Sequence, residues 1–203
     1  MGVRPKNGQD AVDQESSSEN LMARVAEGDE DAFEALVLRH QTSVLNFIYR
    51  FIGDRAQAKD LSQEVFLRVW QTAKRYEVKA KFTTWIYRIA SNLCFNELKS
   101  ARRRKWFQFF RSGEEGGQDI GEKFPDDSPS SEDLLLTRER NRQLSEALQG
   151  LPANQRMAMI LKRYDDLSYE EIARVMDCSV SAVESLLVRA KGTLQKKLKN
   201  FQK

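Results

Sequence analysis

The sequence predicts an all-α protein made of two small helical domains that are joined by a flexible acidic linker. Apolar residues recur at helical spacing in residues 20–106 and again in residues 134–203. Between them, residues 107–133 are rich in Gly, Ser, Pro and acidic side chains, and no segment alternates apolar and polar residues as a strand does. Residues 1–19 are polar, and we expect them to form a disordered tail.

Negative charge is concentrated in the linker. The whole sequence has 33 Lys and Arg residues against 30 Asp and Glu residues, a net charge of only +3. From Arg111 to Asp133, however, eight acidic residues face two basic ones, which gives this stretch a charge of −6. The total therefore hides a segregation of charge, and local charge matters more than the total for the choice of partner.

Several classes of protein are excluded by what the sequence lacks. Cys94 and Cys178 are far apart and form no CxxC motif, so we expect a reducing compartment and neither a disulfide framework nor a zinc site. No apolar run approaches 18 residues, and the first 19 residues lack the apolar segment of a secretory signal. We expect a cytoplasmic protein that has no membrane span.

Catalysis is also not expected. The single histidine, His40, has no partner motif. The paired carboxylates Asp126-Asp127 and Asp165-Asp166 lie in the linker and just before a helix cap, respectively. No phosphate-binding glycine loop or nucleophile motif occurs, so the sequence predicts no enzyme activity, no cofactor and no metal.

The segment DLSQEVFLRVWQ (residues 60–71) predicts a helix with two different faces. Leu61, Val65 and Val69 recur every four residues and form a buried stripe. A second stripe is polar and acidic but contains one large apolar residue, and it consists of Asp60, Gln63, Glu64 and Leu67. This stripe is either a solvated helix face or a docking face for a basic helical partner.

The next helix is predicted to begin near Thr83, a candidate N-cap, and to run to the basic cluster that precedes Trp106. One face is apolar and consists of Phe82, Ile86, Ile89, Ala90 and Leu93. The opposite face is polar and then basic, and it consists of Thr84, Arg88, Asn92, Asn96, Lys99 and Arg103, with the aromatic residues Trp85, Tyr87 and Phe95 between them. Cations bind phosphates, aromatic rings stack on unpaired bases, and amides read base edges, so this face is a candidate nucleic-acid surface. Basic residues at a helix C-terminus also complement the helix dipole, which is the alternative explanation.

The second module contains a predicted helix-turn-helix. Ser168–Glu171 (SYEE) is a capping box that opens one helix, Asp177 and Cys178 form a short turn, and Ser179 or Ser181 opens the next helix. That second helix is then available to a DNA major groove, with basic residues towards its end. In the preceding segment, Pro152 suits the first position of a helix whose apolar residues are expected in the core.

Four stretches in this order resemble the extracytoplasmic-function (ECF) sigma factors, the smallest members of the bacterial sigma-70 superfamily. The stretches are AEGDEDAFEALVLRHQ, DLSQEVFLRVW, FTTWIYRIASNLCFNELK and LPANQRMAMILKRYDDLSYEEIARVMDCSVSAVESLLVRAKGTL. They cover most of residues 21–198, and four ordered motifs are more specific than any one alone. The resemblance implies that residues 20–106 are sigma region 2, a helical bundle, and that residues 134–203 are region 4, a helix-turn-helix.

The resemblance also implies roles for individual residues. It places the helix of residues 60–71 against the β′ clamp helices of core RNA polymerase. The residues implied in this contact are Asp60, Gln63, Glu64, Leu67 and Trp70. The loop from Tyr76 to Phe82 and the helix after it resemble the reader of the promoter −10 element, in which a base of the non-template strand is flipped into a pocket. The residues implied in −10 binding are Lys81, Phe82, Trp85, Arg88, Asn92, Asn96, Lys99 and Arg103. Those implied in −35 binding are Ser181, Ala182, Ser185, Arg189 and Lys191.

Further partners follow from the same resemblance. Residues 150–165 resemble the part of the family that meets the β flap of the polymerase, and the acidic linker resembles the segment that passes through the active-site cleft and RNA exit path. Factors of this family serve stress responses, and an anti-sigma factor usually holds them inactive, so we expect one here. The chain departs from the family at Glu184 and Leu186, where many relatives carry Arg or Lys. Glu184 either accepts a hydrogen bond from cytosine N4 or caps the helix after Ser181.

One alternative within DNA-binding proteins stays open at this point. An ordinary helix-turn-helix regulator, with the first module as a sensor or dimeriser, would share the second module. Such a regulator would bind duplex DNA without polymerase.

Overall fold

The computed structural model describes residues 17–76, 81–112 and 142–201, except for the side chains of residues 105, 107–112 and 198–201. All regular structure in these ranges is helical. The helices are α1 (Ser18–Ala26), α2 (Glu30–Ile52), α3 (Arg55–Thr72), α4 (Phe82–Ser112), α5 (142–149), α6 (Ala153–Arg163), α7 (Tyr169–Met176) and α8 (Val180–Phe201), with one 3₁₀ turn at Ala73–Arg75. The predicted all-α fold is confirmed. The predicted tail up to residue 16 and the linker from residue 113 lie outside the described residues.

Short polar signals set the bounds of the helices in the first module. The Asp29 carboxylate accepts the amide of Ala32 at 2.9 Å and opens α2. Gly53 ends α2 with φ of 87°, a left-handed conformation that a residue with a Cβ rarely adopts. Asp54 then accepts the amide of Gln57 at 2.8 Å and opens α3. The Gly53-Asp54 pair thus makes a turn tight enough for α2 and α3 to pack antiparallel.

Three predicted boundaries in this module differ from the structure. Ser17 caps α1, and the Glu19 carboxylate accepts the amide of Phe82 at 2.8 Å, so residues 17–19 belong to the fold and not to the tail. For the same reason α4 begins at Phe82, and Thr83 lies inside its first turn. A carboxylate from α1 satisfies the free amide at the start of α4, a contact between distant segments that local sequence could not indicate. At its other end α4 continues through residues 107–112, which had been assigned to the linker.

The second module forms the predicted helix-turn-helix. Both hydrogen bonds of the capping box between Ser168 and Glu171 are present at the start of α7. Asp177 ends α7 with φ of 53°. The Ser179 hydroxyl accepts the amide of Ala182 at 3.2 Å, which makes Ser179, and not Ser181, the cap of α8. Pro152 is the residue before α6 and not its first residue.

The two modules pack against each other through a shared hydrophobic core. Met157, Ile160 and Leu161 of α6 are fully buried in the same cluster as Phe47 and Phe51 of α2. Helix α7 lies along α4. The sequence left the relative placement of the modules open, and the structure gives one closed arrangement.

Candidate protein and nucleic-acid interfaces

An apolar groove lies between α2 and α3, on the face predicted to bind a helical protein. Its volume is about 830 Å³, and its lining includes Phe33, Leu45, Gln63, Leu67 and Trp70. The rings of Phe33 and Trp70 pack with centroids 5.0 Å apart and form its floor. Leu67 is 49% exposed at the rim, which is costly for an apolar side chain that has no partner.

The polar residues of the same stripe also face outward. Asp60 and Gln63 are exposed. Glu64 is half-buried and accepts a hydrogen bond from Arg68 at 2.8 Å, which partly neutralises its charge. An outward carboxylate beside an apolar groove can hold a partner helix that is apolar on one face and basic at its edge.

The polar face of α4 is exposed along four helical turns. Arg88, Asn92, Asn96 and Lys99 are all exposed, as are the arginines at positions 102–104. Arg104 is held by Glu97 at 2.6 Å and by the Ser100 hydroxyl at 2.8 Å. Amide groups are therefore followed by cations in the order predicted for a nucleic-acid surface.

Two residues expected at the DNA surface are in the interior: Thr84, and Phe82, whose place on the apolar face of the helix was also predicted and is confirmed. Phe82 is 0% exposed and Thr84 is 3% exposed, so neither is available to DNA in this arrangement. The Phe82 ring packs against Tyr76, Trp85 and His40, with centroid distances of 6.2, 5.9 and 5.0 Å. The first turn of α4 faces α1 and α2, since the Phe82 amide donates to Glu19 of α1 and the Phe82 ring packs against His40 of α2. Trp85 is half-buried at the edge of this aromatic cluster and keeps one part of its surface accessible.

Helix α8 presents the residues predicted to contact duplex DNA. Ser181, Ser185, Arg189 and Lys191 are exposed, and Ala182 is half-buried. Since Ser179 is the cap, Glu184 is the fifth residue of α8 and not its third, so the proposed capping role of Glu184 is wrong. Glu184 is exposed beside Ser185. Of the two roles considered for it, contact with a cytosine base therefore remains.

The segment 150–165 is buried on the side that faces the core. Met157, Ala158, Ile160 and Leu161 are fully buried, whereas Asn154 and Arg163 are exposed. The sequence expectation of a core segment with a small accessible part fits this pattern. Any contact of this segment with a further protein is therefore confined to its exposed residues in the closed arrangement.

The face of α4 is partly covered by the second module. Lys81 forms an ion pair with Glu171 at 3.0 Å, and Arg88 forms one with Asp177 at 3.6 Å. Tyr87, buried beside them, donates a hydrogen bond to Asp165 at 2.7 Å. The sequence analysis did not identify Glu171, Asp165 and Asp177 as residues of this contact. The presence of three acidic residues in and around α7 could have indicated it, because their charge is opposite to that of the basic face of α4.

Burial changes the titration of the buried groups at this contact. Burial raises the pKa of Asp165 to about 6, because the charged carboxylate loses water, while the Tyr87 hydroxyl and the Arg50 charge oppose that rise. The same burial raises the pKa of Tyr87, with the nearby Asp165 charge adding to it. Asp165 Oδ2 is buried without a hydrogen-bond partner among the described residues. Burial therefore disfavours the charged form of Asp165, and the hydrogen bond from Tyr87 offsets this only in part.

No metal site or membrane helix occurs in the described ranges. No three His, Cys, Asp or Glu residues of these ranges are grouped so that they could hold a metal ion. No helix within them is long and apolar enough to span a membrane. Cys94 is buried and Cys178 is half-buried, and both are free thiols. His40 is half-buried, with its Nε2 2.8 Å from the Ser18 hydroxyl.

Comparisons with known proteins agree on both modules. The family model of Sigma-70 region 2 matches residues 36–104, and that of Sigma-70, region 4 matches residues 141–194. The RNA polymerase sigma-H factor of Pseudomonas aeruginosa is 34% identical over 184 residues, which cover 91% of this chain and 95% of that protein. The ECF RNA polymerase sigma-E factor of Escherichia coli is 33% identical over 178 residues, with 88% and 92% covered.

Two solved structures share the fold. CnrH, in complex with the cytosolic domain of CnrY, superposes with a TM-score of 0.66 at 21% identity and covers 91% of this chain and 98% of its own. The sigma factor RpoE of Bartonella quintana, in complex with the anti-sigma factor NepR, gives a TM-score of 0.62 at 23% identity, with 82% and 96% covered.

Proposed function

This chain belongs to the ECF sigma factors of the sigma-70 superfamily, and we propose that three of its surfaces divide the work of promoter recognition. It acts with RNA polymerase on promoters as an alternative sigma factor and performs no bond chemistry itself. Helix α3 and its groove bind the β′ clamp helices of core polymerase, α4 binds the separated strands of the −10 element, and α8 binds the −35 duplex.

This division of roles rests on the different side chains that two neighbouring helices, α3 and α4, expose to solvent. Asp60 and Leu67 are exposed on α3, beside the apolar groove, whereas Arg88 and Asn92 are exposed on α4. The first pair suits a protein helix, since it combines an apolar contact with a carboxylate. The second pair suits DNA, since it combines a cation for phosphate with an amide for a base edge.

Substitutions on the two helices separate the two activities. Asp60→Arg places a cation against a basic partner and should abolish binding to core polymerase. Asn92→Ala should leave core binding intact and reduce promoter opening, measured by permanganate footprinting of unpaired thymines. Asn46→Ala, at an exposed asparagine of α2, is the matched control and should change neither. Loss of core binding with Asn92→Ala would show that the α4 face has been misassigned.

A gel shift without polymerase tests the alternative of a helix-turn-helix regulator. The free chain should bind promoter duplex weakly and gain specificity only with core polymerase. Tight, specific duplex binding by the free chain would favour the regulator instead.

Three finer points complete the proposal. The acidic linker, whose residues 113–133 lie outside the described structure, passes through the active-site cleft, where its charge of −6 over residues 111–133 mimics nucleic acid. The factor works in the cytoplasm, where core polymerase and promoters are found. An anti-sigma factor is its proposed regulator, supported by the similar fold of the sigma factor RpoE of Bartonella quintana, which was solved in complex with the anti-sigma factor NepR.

A further inference from the structure

We propose that Glu19 of α1 is a positioning residue for recognition of the −10 element: its carboxylate holds the first turn of α4, and thereby the Trp85 ring on which an unpaired promoter base stacks. The inference rests on the function proposed above, because it needs α4 to bind the separated strands. It adds a residue that does not touch DNA but fixes the place of one that does.

The residue that precedes α4 cannot cap it. Lys81 stands directly before the helix, and its ammonium group donates hydrogen bonds but cannot accept them. The first amides of a helix have no partner within it, so a first turn without a cap is destabilised. Glu19 Oε1 accepts the amide of Phe82 at 2.8 Å, and its negative charge suits the positive end of the helix dipole. A side chain 63 residues away therefore replaces a local cap.

The first turn of α1, which carries Glu19, is itself anchored. The Ser18 hydroxyl lies 2.8 Å from Nε2 of His40 on α2. Leu21 and Met22, which follow on α1, are buried in the core. Glu19 therefore extends from a helix that cannot shift without breaking contacts with the core.

Aromatic rings connect the capped turn to Trp85. The Phe82 ring is fully buried, and its centroid lies 5.0 Å from that of His40 and 5.9 Å from that of Trp85. The Tyr76 ring completes the cluster, 6.2 Å from Phe82 and 5.1 Å from Trp85. Burial raises the pKa of Tyr76, and the charge of nearby Glu19 adds to that rise. A shift of Phe82 is therefore passed to Trp85 by direct contact between the rings.

Trp85 is the DNA-binding residue that depends most on this turn. Its ring is half-buried, and its amide donates to the Lys81 carbonyl at 3.3 Å, the bond that closes the first turn of α4. A ring that is held in one orientation loses less entropy when a base stacks on it than a mobile ring does. Arg88 and Asn92 lie further along α4, so loss of the cap should affect the stacked base and spare their contacts.

The test uses holoenzyme formed from the full chain and core polymerase. Fluorescence anisotropy measures binding to a single-stranded oligonucleotide that carries the −10 non-template strand of a promoter mapped with this holoenzyme. Oligonucleotides with one abasic site at each −10 position find the base that stacks on Trp85, since its removal should weaken binding by the unmodified holoenzyme but not by the Trp85→Ala holoenzyme. The ratio of the two dissociation constants, abasic over intact, then reports the stacked base, because a general defect changes both constants alike.

Glu19→Ala should weaken binding to the intact oligonucleotide about tenfold, as expected for one stacked base, and leave binding to the abasic one unchanged. Glu19→Gln keeps an oxygen that can accept the Phe82 amide, so it should restore most of the ratio. Ser168→Ala is the matched control, because it removes the cap of α7 instead. It should lower the free energy of unfolding as Glu19→Ala does, without changing the ratio.

Two further variants test whether Glu19 acts through Trp85. Glu19→Ala added to Trp85→Ala should change neither dissociation constant further, because the ring that the cap positions is already gone. Glu19→Asp keeps the charge but withdraws the carboxylate by one methylene group, so it should lose part of the ratio. It provides the measurement if Glu19→Ala does not fold.

Several results would overturn the positioning role. Equal weakening of the intact and abasic complexes by Glu19→Ala would show a purely structural role, and additive effects with Trp85→Ala would place the action of Glu19 elsewhere. A Glu19→Gln holoenzyme as weak as the Glu19→Ala one, or a −10 strand in which no base depends on Trp85, would also contradict it. If the unmodified holoenzyme did not prefer the −10 strand to a scrambled sequence, the proposed function itself would be wrong.

Discussion

Lowering the pH from 7 to 5 should close the free factor further, because Asp165 is more easily protonated in the closed state. In that state the carboxyl is largely buried between its own module and Tyr87, and burial raises its pKa from 3.8 to about 6. Arg50 of α2 is the other charged group that acts on it, and it favours the carboxylate. Once the modules separate, the carboxyl returns to water and its ordinary pKa.

The sign and size follow from proton linkage. The closed state binds a proton at higher pH than the open state, so acid favours closure until the pH falls below about 3.8, where both states are protonated. Well above pH 6 the charge on Asp165 opposes closure by about 3 kcal/mol, because the pKa of this carboxyl is 3.8 in water and about 6 in the closed state. Between pH 7 and pH 5, protonation of Asp165 lowers this penalty by about 1 kcal/mol, which is close to tenfold in the closing equilibrium.

Small-angle X-ray scattering of the full chain at constant ionic strength measures this shift as a decrease in the radius of gyration between pH 7 and pH 5. Asp165→Asn keeps an acceptor for Tyr87 but cannot titrate, so its radius of gyration should not change between pH 7 and pH 5. His40 could also titrate near this range, but burial lowers its pKa, and it lies on α2 against Ser18 of α1, away from Asp165. A pH response that persists in Asp165→Asn would assign the effect to another group and refute this reasoning.

Three further predictions concern stability and DNA binding. Phe82→Ala should lower the free energy of unfolding by about 3–5 kcal/mol in urea titrations, because it empties a fully buried site next to Tyr76 and Trp85; a loss below about 1 kcal/mol would return Phe82 to the surface. Ser168→Ala should cost about 1 kcal/mol of the same free energy through loss of the α7 cap, with Ser145→Ala inside α5 as a control for the substitution itself. Lys99→Ala should weaken promoter complexes and lower the slope of log affinity against log salt by about 1, as measured by filter binding, and an unchanged slope would mean that Lys99 touches no phosphate.

Some of the site could be predicted because its signals are local. The stripe of Asp60, Gln63 and Leu67 faces outward as its spacing indicates, and so do Arg88 and Asn92 on α4. Helical periodicity fixes which side chains share a face, whatever the rest of the chain does. The capping box at Ser168 is equally local, since all its atoms lie within four residues.

Other features depended on contacts between distant residues, and there the sequence prediction failed. Phe82 and Thr84 were assigned to the DNA face, but the hydrogen bond from the Phe82 amide to Glu19 turns the first α4 turn inward. The capping role of Glu184 is a separate, local case: the sequence offered both Ser179 and Ser181 as caps, and Ser179 caps the helix.

The sequence by itself determined the all-α fold, the two modules and the polarity of α3 and α4, because each is a matter of spacing within one helix. Only the tertiary structure decided that the modules close on each other. That closure depends on Tyr87 meeting Asp165 and on Gln149 and Arg156 meeting the end of α2, over separations of 78 to 105 residues. Periodicity carries no information about such pairs, since their energy exists only once both surfaces have folded.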